Sequence, residues 1–288
     1  MHTSNDQYGT KNMASEMTDN ELKQRAKWLR QAIFDMVMDA RQGHVPSSFS
    51  MIETLIALYY GGVARIFAQQ PHHPERDRIF ISKGHAAHAL YPIFADLGFF
   101  PADELARFTR PEGMLGMYAD FRIPGIEGIS GSLGHGVGMG AGIALAARQN
   151  GEDHRAFVIV GDGECYEGSI WESALFAAHH HLDKLVTIVD RNQLCILGRT
   201  EDCLQLDDLA AKWAAFGWAV VEADGHDFAS LMSAFSRIGD TGGKPLAIIA
   251  NTVKGKGISF MEGNASWHNK MPDAALLAQA RAELSTPI

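Results

Sequence analysis

The sequence predicts an α/β fold in which a mostly parallel sheet carries helices on both faces. Five short apolar runs of strand character recur along the chain, and helical segments separate them. This alternation is typical of parallel β-α-β units. No linker rich in Pro, Gly or Ser interrupts the pattern, so we expect a single domain over residues 21–288.

The elements follow in order. Strands are predicted at residues 78–82, 156–160, 185–190, 219–222 and 246–251. Helices are predicted at residues 20–40, 50–60, 86–97, 134–147, 170–181 and 273–284. The first helix has apolar residues three or four positions apart on one face, namely Leu22, Ala26, Leu29, Ile33 and Val37. The helix at 134–147 is mostly glycine and alanine, which lets another backbone approach closely, although each glycine weakens it by up to about 1 kcal/mol.

The composition limits the classes of function. A net charge of −9 with scattered Lys and Arg gives no basic surface, so binding to nucleic acid or to an anionic membrane is not expected. No stretch approaches the roughly 18 apolar residues of a membrane span. Residues 1–20 are polar and lack the features of a secretory signal, so we expect a flexible arm there. The odd number of cysteines, Cys165, Cys195 and Cys203, without C-x-x-C spacing, fits a reducing cytoplasm.

Polar residues follow the second and third predicted strands. Gly161, Asp162 and Gly163 come directly after the second strand, and Asn192 follows the third. The carboxyl ends of parallel strands form the crevice in which ligands bind. Glycines allow phosphate oxygens to approach backbone N–H groups, and a carboxylate with an amide oxygen suits a Mg²⁺ ion that keeps diphosphate oxygens and water as further ligands. The pattern therefore predicts a site for a metal-bound diphosphate.

Gly-Asp-Gly followed about thirty residues later by Asn resembles the motif that binds thiamine diphosphate (ThDP). The resemblance extends over roughly residues 22–272 and is to the N-terminal, diphosphate-binding part of transketolases. Further matching segments occur in the family's order, at residues 43–44, 82–86, 124–127, 131–136, 161–168, 190–192, 224–227, 253–261 and 267–268. The resemblance implies the ThDP-binding fold and a split transketolase subunit.

The resemblance also implies the site residues. The side chains of Asp162 and Asn192 and the carbonyl of Leu194 would ligate Mg²⁺, or Ca²⁺ or Mn²⁺ in its place. The residues expected to contact ThDP are Ser47, His85, Gly131, Ser132, Leu133, Gly161, Asp162, Gly163, Glu164, Asn192, Leu194 and His268. The residues expected to act in catalysis are His44, His85, His268 and Glu167. The imidazoles would bind substrate hydroxyls and move protons near neutral pH.

ThDP chemistry needs a carboxylic acid beside the aminopyrimidine ring, and in this superfamily a pyrimidine-binding domain supplies it. Only a short helix is predicted after Pro272. We therefore expect a separate subunit to carry that domain, with Glu167 facing its acid and helix 134–147 as a candidate interface. The resemblance thus implies a cytoplasmic α2β2 enzyme that transfers a two-carbon ketol unit, a glycolaldehyde group, between sugars or sugar phosphates.

Two departures from the family concern the substrate channel. The family usually has Gly-His-Pro before the segment at 124–127, and its His contacts the donor sugar. Here Met117 or Tyr118 stands near that place. Pro46, Ser47 and Ser48 also replace the glycines expected after His44. We expect intact cofactor binding and a substrate preference unlike that of pentose-phosphate transketolase.

Two alternatives remain open at this point. One is another ThDP enzyme, an α subunit of a 2-oxoacid dehydrogenase or a synthase of a 1-deoxy-ketose phosphate; the segments 82–86 and 267–268 favour transketolase over it. The other is a nucleotide-binding or non-catalytic module that kept the sheet. The sequence lacks G-x-x-x-x-G-K-[ST], and it lacks a dinucleotide-binding G-x-G-x-x-G after a strand, which counts against nucleotide binding.

Overall fold

The structure is a computed structural model that describes residues 17–287. Its centre is a five-stranded, all-parallel sheet with the order β1-β2-β3-β5-β4. The strands are β1 (Arg78–Ile81), β2 (Ala156–Gly161), β3 (Leu185–Arg191), β4 (Ala219–Asp224) and β5 (Leu246–Asn251). The predicted fold class and the five predicted strands are confirmed.

Helices precede, connect and follow these strands. They are α1 (Asp19–Ala40), α2 (Val45–Phe49), α3 (Ile52–Tyr59), α4 (Leu90–Leu97), α5 (Gly136–Asn150), α6 (Gly168–His179), α7 (Thr200–Cys203), α8 (Leu209–Ala215), α9 (Phe228–Phe235) and α10 (Ala274–Ser285). Short 3-10 turns lie at Gly84–Ala89, Ala102–Arg107, Gly163–Tyr166 and Ala265–Trp267. The six predicted helices are present with shifted ends, and the segment predicted as one helix at 86–97 begins as the 3-10 turn and continues as α4.

Both faces of the sheet are buried. In β2, Phe157 and Ile159 belong to the apolar cluster that includes side chains of α1, α3, α4, α9 and α10. Their neighbours Val158 and Val160 belong to a second cluster with α5, α6 and α8. Successive side chains of a strand point to opposite faces, so the apolar runs read from the sequence reflect burial on both sides.

Glycine brings α5 close to the sheet. A Cβ atom on Gly136 would lie 2.3 Å from Cβ of Ser82, and one on Gly140 would lie 2.5 Å from Cγ2 of Val158. The close backbone approach predicted for this helix is therefore made to the sheet of the same chain. A Cβ atom on Gly142 would meet no other atom within 4 Å among the described residues, whereas one on Gly138 would lie 3.0 Å from Oγ of Ser173 in α6.

The N-terminal arm predicted at residues 1–20 lies mostly outside the described residues. These begin just before α1, whose first turn is closed by a reciprocal pair of hydrogen bonds between Thr18 and Glu21. No helix within residues 17–287 combines the length and the apolar character needed to cross a membrane.

Candidate active site at the carboxyl edge of the sheet

Several predicted site residues follow three neighbouring strands at the same edge of the sheet, and Lys254 follows a fourth. Residues 82–85 follow β1, Asp162 follows β2, Asn192 follows β3 and Lys254 lies shortly after β5. The strands are parallel and their order places these ends side by side. The edge on which the sequence predicted a ligand site thus gathers side chains from distant parts of the chain.

Asp162 is buried at the start of the 3-10 turn that follows β2. Its Oδ1 accepts a hydrogen bond from the N–H of Gly163 at 2.8 Å. Its Oδ2 accepts from the N–H of Gln193 at 2.5 Å and from the guanidinium of Arg191 at 3.2 Å. Burial, with a contribution from the charge of Asp190, raises the pKa of Asp162 to about 6. A nearby cation would favour the ionised form of this carboxyl group.

Hydrogen bonds fix the orientation of Asn192. Its Nδ2 donates to Oδ2 of Asp190 at 3.1 Å, and its Oδ1 accepts from the N–H of Leu194 at 3.1 Å. Asp190 in turn forms a buried ion pair with Lys83 and accepts from the hydroxyl of Ser50 at 2.6 Å. Burial alone would raise the pKa of Asp190, but the Lys83 ammonium together with hydrogen bonds from Ser50 and Thr252 outweighs it and holds the pKa below its usual range.

The backbone carbonyl of Leu194 contacts a buried cation. The Nζ of Lys254 donates to this oxygen at 3.2 Å, and the side chain of Lys254 is otherwise enclosed by protein. Burial and the positive charge of Lys83 lower the pKa of Lys254 to about 8. One of the predicted metal ligands therefore already has a buried amine donor beside it.

Among residues 17–287, no group of three or more His, Cys, Asp or Glu side chains could hold a metal ion. The predicted donors include one carboxylate, that of Asp162, with an amide oxygen from Asn192 and a carbonyl oxygen from Leu194. Hard oxygen donors of this kind suit Mg²⁺, which normally keeps phosphate oxygens and waters as its remaining ligands. The donor chemistry fits a Mg²⁺ ion bound together with a diphosphate.

Three predicted histidines lie together. The ring centroids of His44, His85 and His268 are 5.1 to 5.3 Å apart. Burial is the main cause that lowers the pKa of each imidazole, to about 4 for His268 and well below the usual value for His85. The three rings are therefore neutral at pH 7, and each neutral ring offers one N–H donor and one acceptor nitrogen.

Several buried polar atoms of the predicted site lack hydrogen-bond partners among the described residues. They are Nδ1 of His44, Nδ1 of His268 and Oγ of Ser47. Buried polar atoms are normally paired, so an unpaired group calls for a ligand or water. Together with the Lys254 ammonium, these atoms fit a polar, anionic ligand such as a diphosphate.

The segment 131–133 is fixed against the site by its neighbours. A Cβ atom on Gly84 would overlap the carbonyl oxygen of Ser130 at 1.7 Å, so only glycine permits this close approach beside His85. Gly131, Ser132 and Leu133 follow, with the first two exposed and Leu133 half-buried. Gly131 and Ser132 also line an open cavity of about 610 Å³ with His135 and Met139.

Glu164 and Glu167 occupy different environments. The buried carboxylate of Glu164 accepts hydrogen bonds from the N–H groups of Gly134 (2.8 Å) and Gly161 (3.0 Å) and from the hydroxyl of Ser82. Its oxygens thus hold the loops around the site together. Glu167 is exposed at the N-terminus of α6, where its carboxylate is accessible to another chain.

The sequence did not reveal the residues that hold the predicted metal ligands in position. Lys83 and Asp190 lie inside recognised segments, yet their ion pair depends on side-chain direction, which spacing does not give. Arg191 was likewise not singled out, although it contacts both Asp162 and Glu201. The sequence signal that could have identified Arg191 is its position directly before Asn192.

The comparison with protein families matches residues 22–286 to the family described as transketolase, thiamine diphosphate binding domain. The chain belongs to this transketolase family. The predicted resemblance is confirmed, and with it the assignment of the chain to a family of ThDP-binding domains.

Several relatives of the transketolase family are of similar length. The chain is 38% identical to a protein of Phocaeicola vulgatus named as a subunit of apulose-4-phosphate transketolase, over 90% of this chain and 92% of the relative. It is 39% identical to the protein of the same name from Actinobacillus succinogenes, and 39% identical to 6-deoxy-6-sulfo-D-fructose transketolase subunit SqwG of a Clostridium species. Each of these two matches covers 92% of this chain and 96% of the relative.

Solved transketolases share the fold. The transketolase of Campylobacter jejuni superposes with a TM-score of 0.87 at 27% identity, over 93% of this chain and 43% of that one. Human transketolase is 35% identical over 86% of this chain and 40% of its own length. The chain thus spans about two fifths of these longer transketolases.

Proposed function

We propose that this chain is the ThDP- and Mg²⁺-binding subunit of a two-subunit, transketolase-like transferase that moves a two-carbon ketol unit between sugars. The observation that carries the proposal is the strand-end group of Asp162, Asn192 and the Leu194 carbonyl beside the buried Lys254 ammonium. One carboxylate with two neutral oxygens provides for a divalent ion, and the ammonium provides for phosphate charge.

The residues of this chain would each have a limited task. ThDP, when bound, supplies a carbon nucleophile for addition to a ketose carbonyl. Asp162, Asn192 and Leu194 would hold the metal, and Lys254 would bind the diphosphate. His44, His85 and His268, neutral at pH 7, would accept or donate hydrogen bonds to substrate hydroxyls and hold a proton close to them. Glu164 would position the Gly161 and Gly134 loops.

A separate subunit would supply the pyrimidine-binding domain and its acid. The support is that relatives named as transketolase subunits match this chain over at least nine tenths of both lengths. The exposed carboxylate of Glu167 would face the partner's acid. We further propose an α2β2 assembly, one domain over residues 21–288 and a location in the cytoplasm; the three free thiols support the location.

The physiological sugars would differ from the xylulose 5-phosphate and ribose 5-phosphate that an ordinary pentose-phosphate transketolase uses. The relatives' names specify other substrates, apulose 4-phosphate and 6-deoxy-6-sulfo-D-fructose. Met117 or Tyr118 replaces the family's sugar-contacting histidine, and this change removes an imidazole near the expected channel. Kinetics on xylulose 5-phosphate and ribose 5-phosphate that equal those of an ordinary transketolase would refute this part of the proposal.

Calorimetry with ThDP and MgCl₂ on the chain mixed with its partner tests the cofactor site. Asp162→Asn keeps the size of the side chain and one oxygen but removes the charge. It should weaken Mg²⁺-dependent ThDP binding by about 10- to 100-fold. Asp183→Asn is the matched control, because Asp183 is exposed on the loop before β3. Equal affinity in both variants, or binding that is independent of Mg²⁺, would contradict the proposal.

A further inference from the structure

A thiol in the loop after β3 is in contact with a thiol at the end of α7. The Sγ atoms of Cys195 and Cys203 are 3.5 Å apart. Cys203 is exposed and Cys195 half-buried, whereas the third thiol, that of Cys165, is fully enclosed. The proposed chemistry uses none of these thiols, so the contact calls for a separate explanation.

Backbone hydrogen bonds hold the two thiols together. The N–H of Cys195 donates to the carbonyl of Gly198 at 2.9 Å, and the N–H of Cys203 donates to that of Arg199 at 3.1 Å. The N–H of Thr200 donates to the carbonyl of Gln193 at 3.0 Å, which closes the loop. A disulfide bond requires sulfur atoms about 2.05 Å apart, so the thiols need to approach by roughly 1.5 Å. Rotation of two short side chains supplies a movement of this size.

The thiol pair borders the proposed metal site. Cys195 directly follows Leu194, and a Cβ atom on Gly163 would lie 3.0 Å from Cβ of Cys195. The nine-residue segment from Cys195 to Cys203 also carries two strongly exposed apolar side chains, Ile196 (65% exposed) and Leu197 (85% exposed). A covalent link between its ends would fix the shape of this apolar loop beside the site.

We propose that Cys195 and Cys203 form a reversible intramolecular disulfide that clamps this loop. The oxidant belongs to the class of low-molecular-weight disulfides. The exposed Cys203 loses its proton and attacks one sulfur of the oxidant, which releases the first thiol and leaves a mixed disulfide. Cys195 then loses its proton and attacks the Cys203 sulfur, which releases the second thiol. Two cysteine thiols are oxidised, one disulfide is reduced to two thiols, and both protons pass to the released thiolates.

Mass spectrometry of the full chain tests the proposal with oxidised glutathione as the probe. The reduced chain should lose two hydrogen atoms without gaining a glutathione adduct, and two of its three thiols should become unreactive to alkylation after denaturation. Trypsin cleaves after Arg199, between the two cysteines. The peptides 192–199 and 200–212 should therefore stay joined until a dithiol reductant is added.

Single-cysteine variants supply the controls. Cys195→Ser should stop the reaction at a stable glutathione adduct on Cys203, because the resolving thiol is absent. In Cys203→Ser, the half-buried Cys195 should form a glutathione adduct slowly or not at all. No internal disulfide should form. A persistent glutathione adduct on the wild-type chain, a link to Cys165 or a disulfide between two copies would overturn the proposal.

Discussion

At the scale of single residues, Lys254 links the loop after β5 to the proposed metal site. Its ammonium is buried and donates only to the Leu194 carbonyl among the described residues. Lys254→Met keeps the aliphatic stem and removes the charge, so ThDP binding should weaken by about 10- to 100-fold, the range for one charge-assisted hydrogen bond. Calorimetry of the variant measures this loss.

Lys256→Met is the matched control, because Lys256 lies two positions later in the same loop and its ammonium is partly exposed, 3.7 Å from Glu262. Its ThDP affinity should stay within about twofold of the wild type. Similar losses in both lysine variants would mean that the loop conformation, and not the Lys254 charge, determines binding.

His88 should make the stability of the chain sensitive to acid. Burial, aided by the nearby His44, lowers the pKa of His88 to about 3, and its Nε2 lies 3.1 Å from the hydroxyl of Ser48. That hydroxyl donates to the carbonyl of His44, so the His88 ring acts as donor. The folded state binds its proton less readily than the unfolded state, so stability is present above pH 6.5 and is lost as pH falls from 6.5 toward 3.

His88→Gln keeps a side-chain donor and removes this titration. Between pH 7 and pH 4.5 the wild type should lose about 2 kcal/mol more unfolding free energy than the variant. Urea unfolding at both pH values measures the difference. His72→Gln, at an exposed position, should behave like the wild type. A variant with the wild-type acid sensitivity would show that other groups carry it.

Residues of the candidate site could be predicted where a side chain with suitable donor atoms stands directly after a strand. Asp162 and Asn192 stand directly after strands, so the strand pattern placed them at one edge. The ion pair of Lys83 with Asp190 could not be predicted, because it joins residues about a hundred positions apart through side-chain directions. The role of Glu164 as a link between two loops depends on the same kind of information.

At the scale of elements, strands were easier to predict than helix ends. Burial on both faces makes the central strands β2, β3 and β5 nearly continuous apolar runs, and all five strands were found although the edge strand β4 is only partly buried. The expected helix at 50–60 begins only at Ile52, because the chain first forms the short α2 with Pro46 in its first turn. The short helices α2, α7 and α8 have four to seven residues, too few for a helical period to emerge from the sequence.

The helix α5 offers a matched pair of substitutions. Gly140→Ala would place a Cβ 2.5 Å from the side chain of Val158 in β2, and it should lower the unfolding free energy by about 1 to 3 kcal/mol. Gly142→Ala meets open space in the same helix and should raise the free energy by about 0.5 to 1 kcal/mol. Thermal unfolding distinguishes the two; a stabilising Gly140→Ala would contradict the close packing of α5 on the sheet.

At the scale of the whole molecule, the local charge inside the candidate site differs from the net charge of the chain. The chain has a net charge of −9, which repels phosphorylated ligands at long range. At the sheet edge the buried Lys254 ammonium, which contacts a neutral carbonyl, counters this, whereas the buried Lys83 is already paired with Asp190. Affinity for an anionic cofactor therefore depends on contacts inside the site, and a bound divalent cation would add to them.

The exposed apolar side chains near this edge are consistent with a partner subunit. Ile196, Leu197 and Leu204 are 62 to 85% exposed and belong to one continuous segment that starts at the proposed metal ligand Leu194. Exposed apolar groups that cluster in this way mark interaction surfaces. If the second subunit completes the site here, a charge on the segment should separate the subunits without unfolding this chain.

Leu197→Asp tests this expectation. Because Leu197 is 85% exposed, its replacement should change the unfolding free energy of the isolated chain by no more than about 0.5 kcal/mol. The affinity for the partner should fall at least about tenfold, since an unpaired carboxylate would be buried in the interface.

Ala278→Asp adds the same charge at an exposed position of α10, which packs on α1, and should leave the affinity unchanged. Titration of the partner with enzymatic activity as the readout measures the affinity. Full activity of the isolated chain, or equal affinities for both variants, would rule out a partner at this surface.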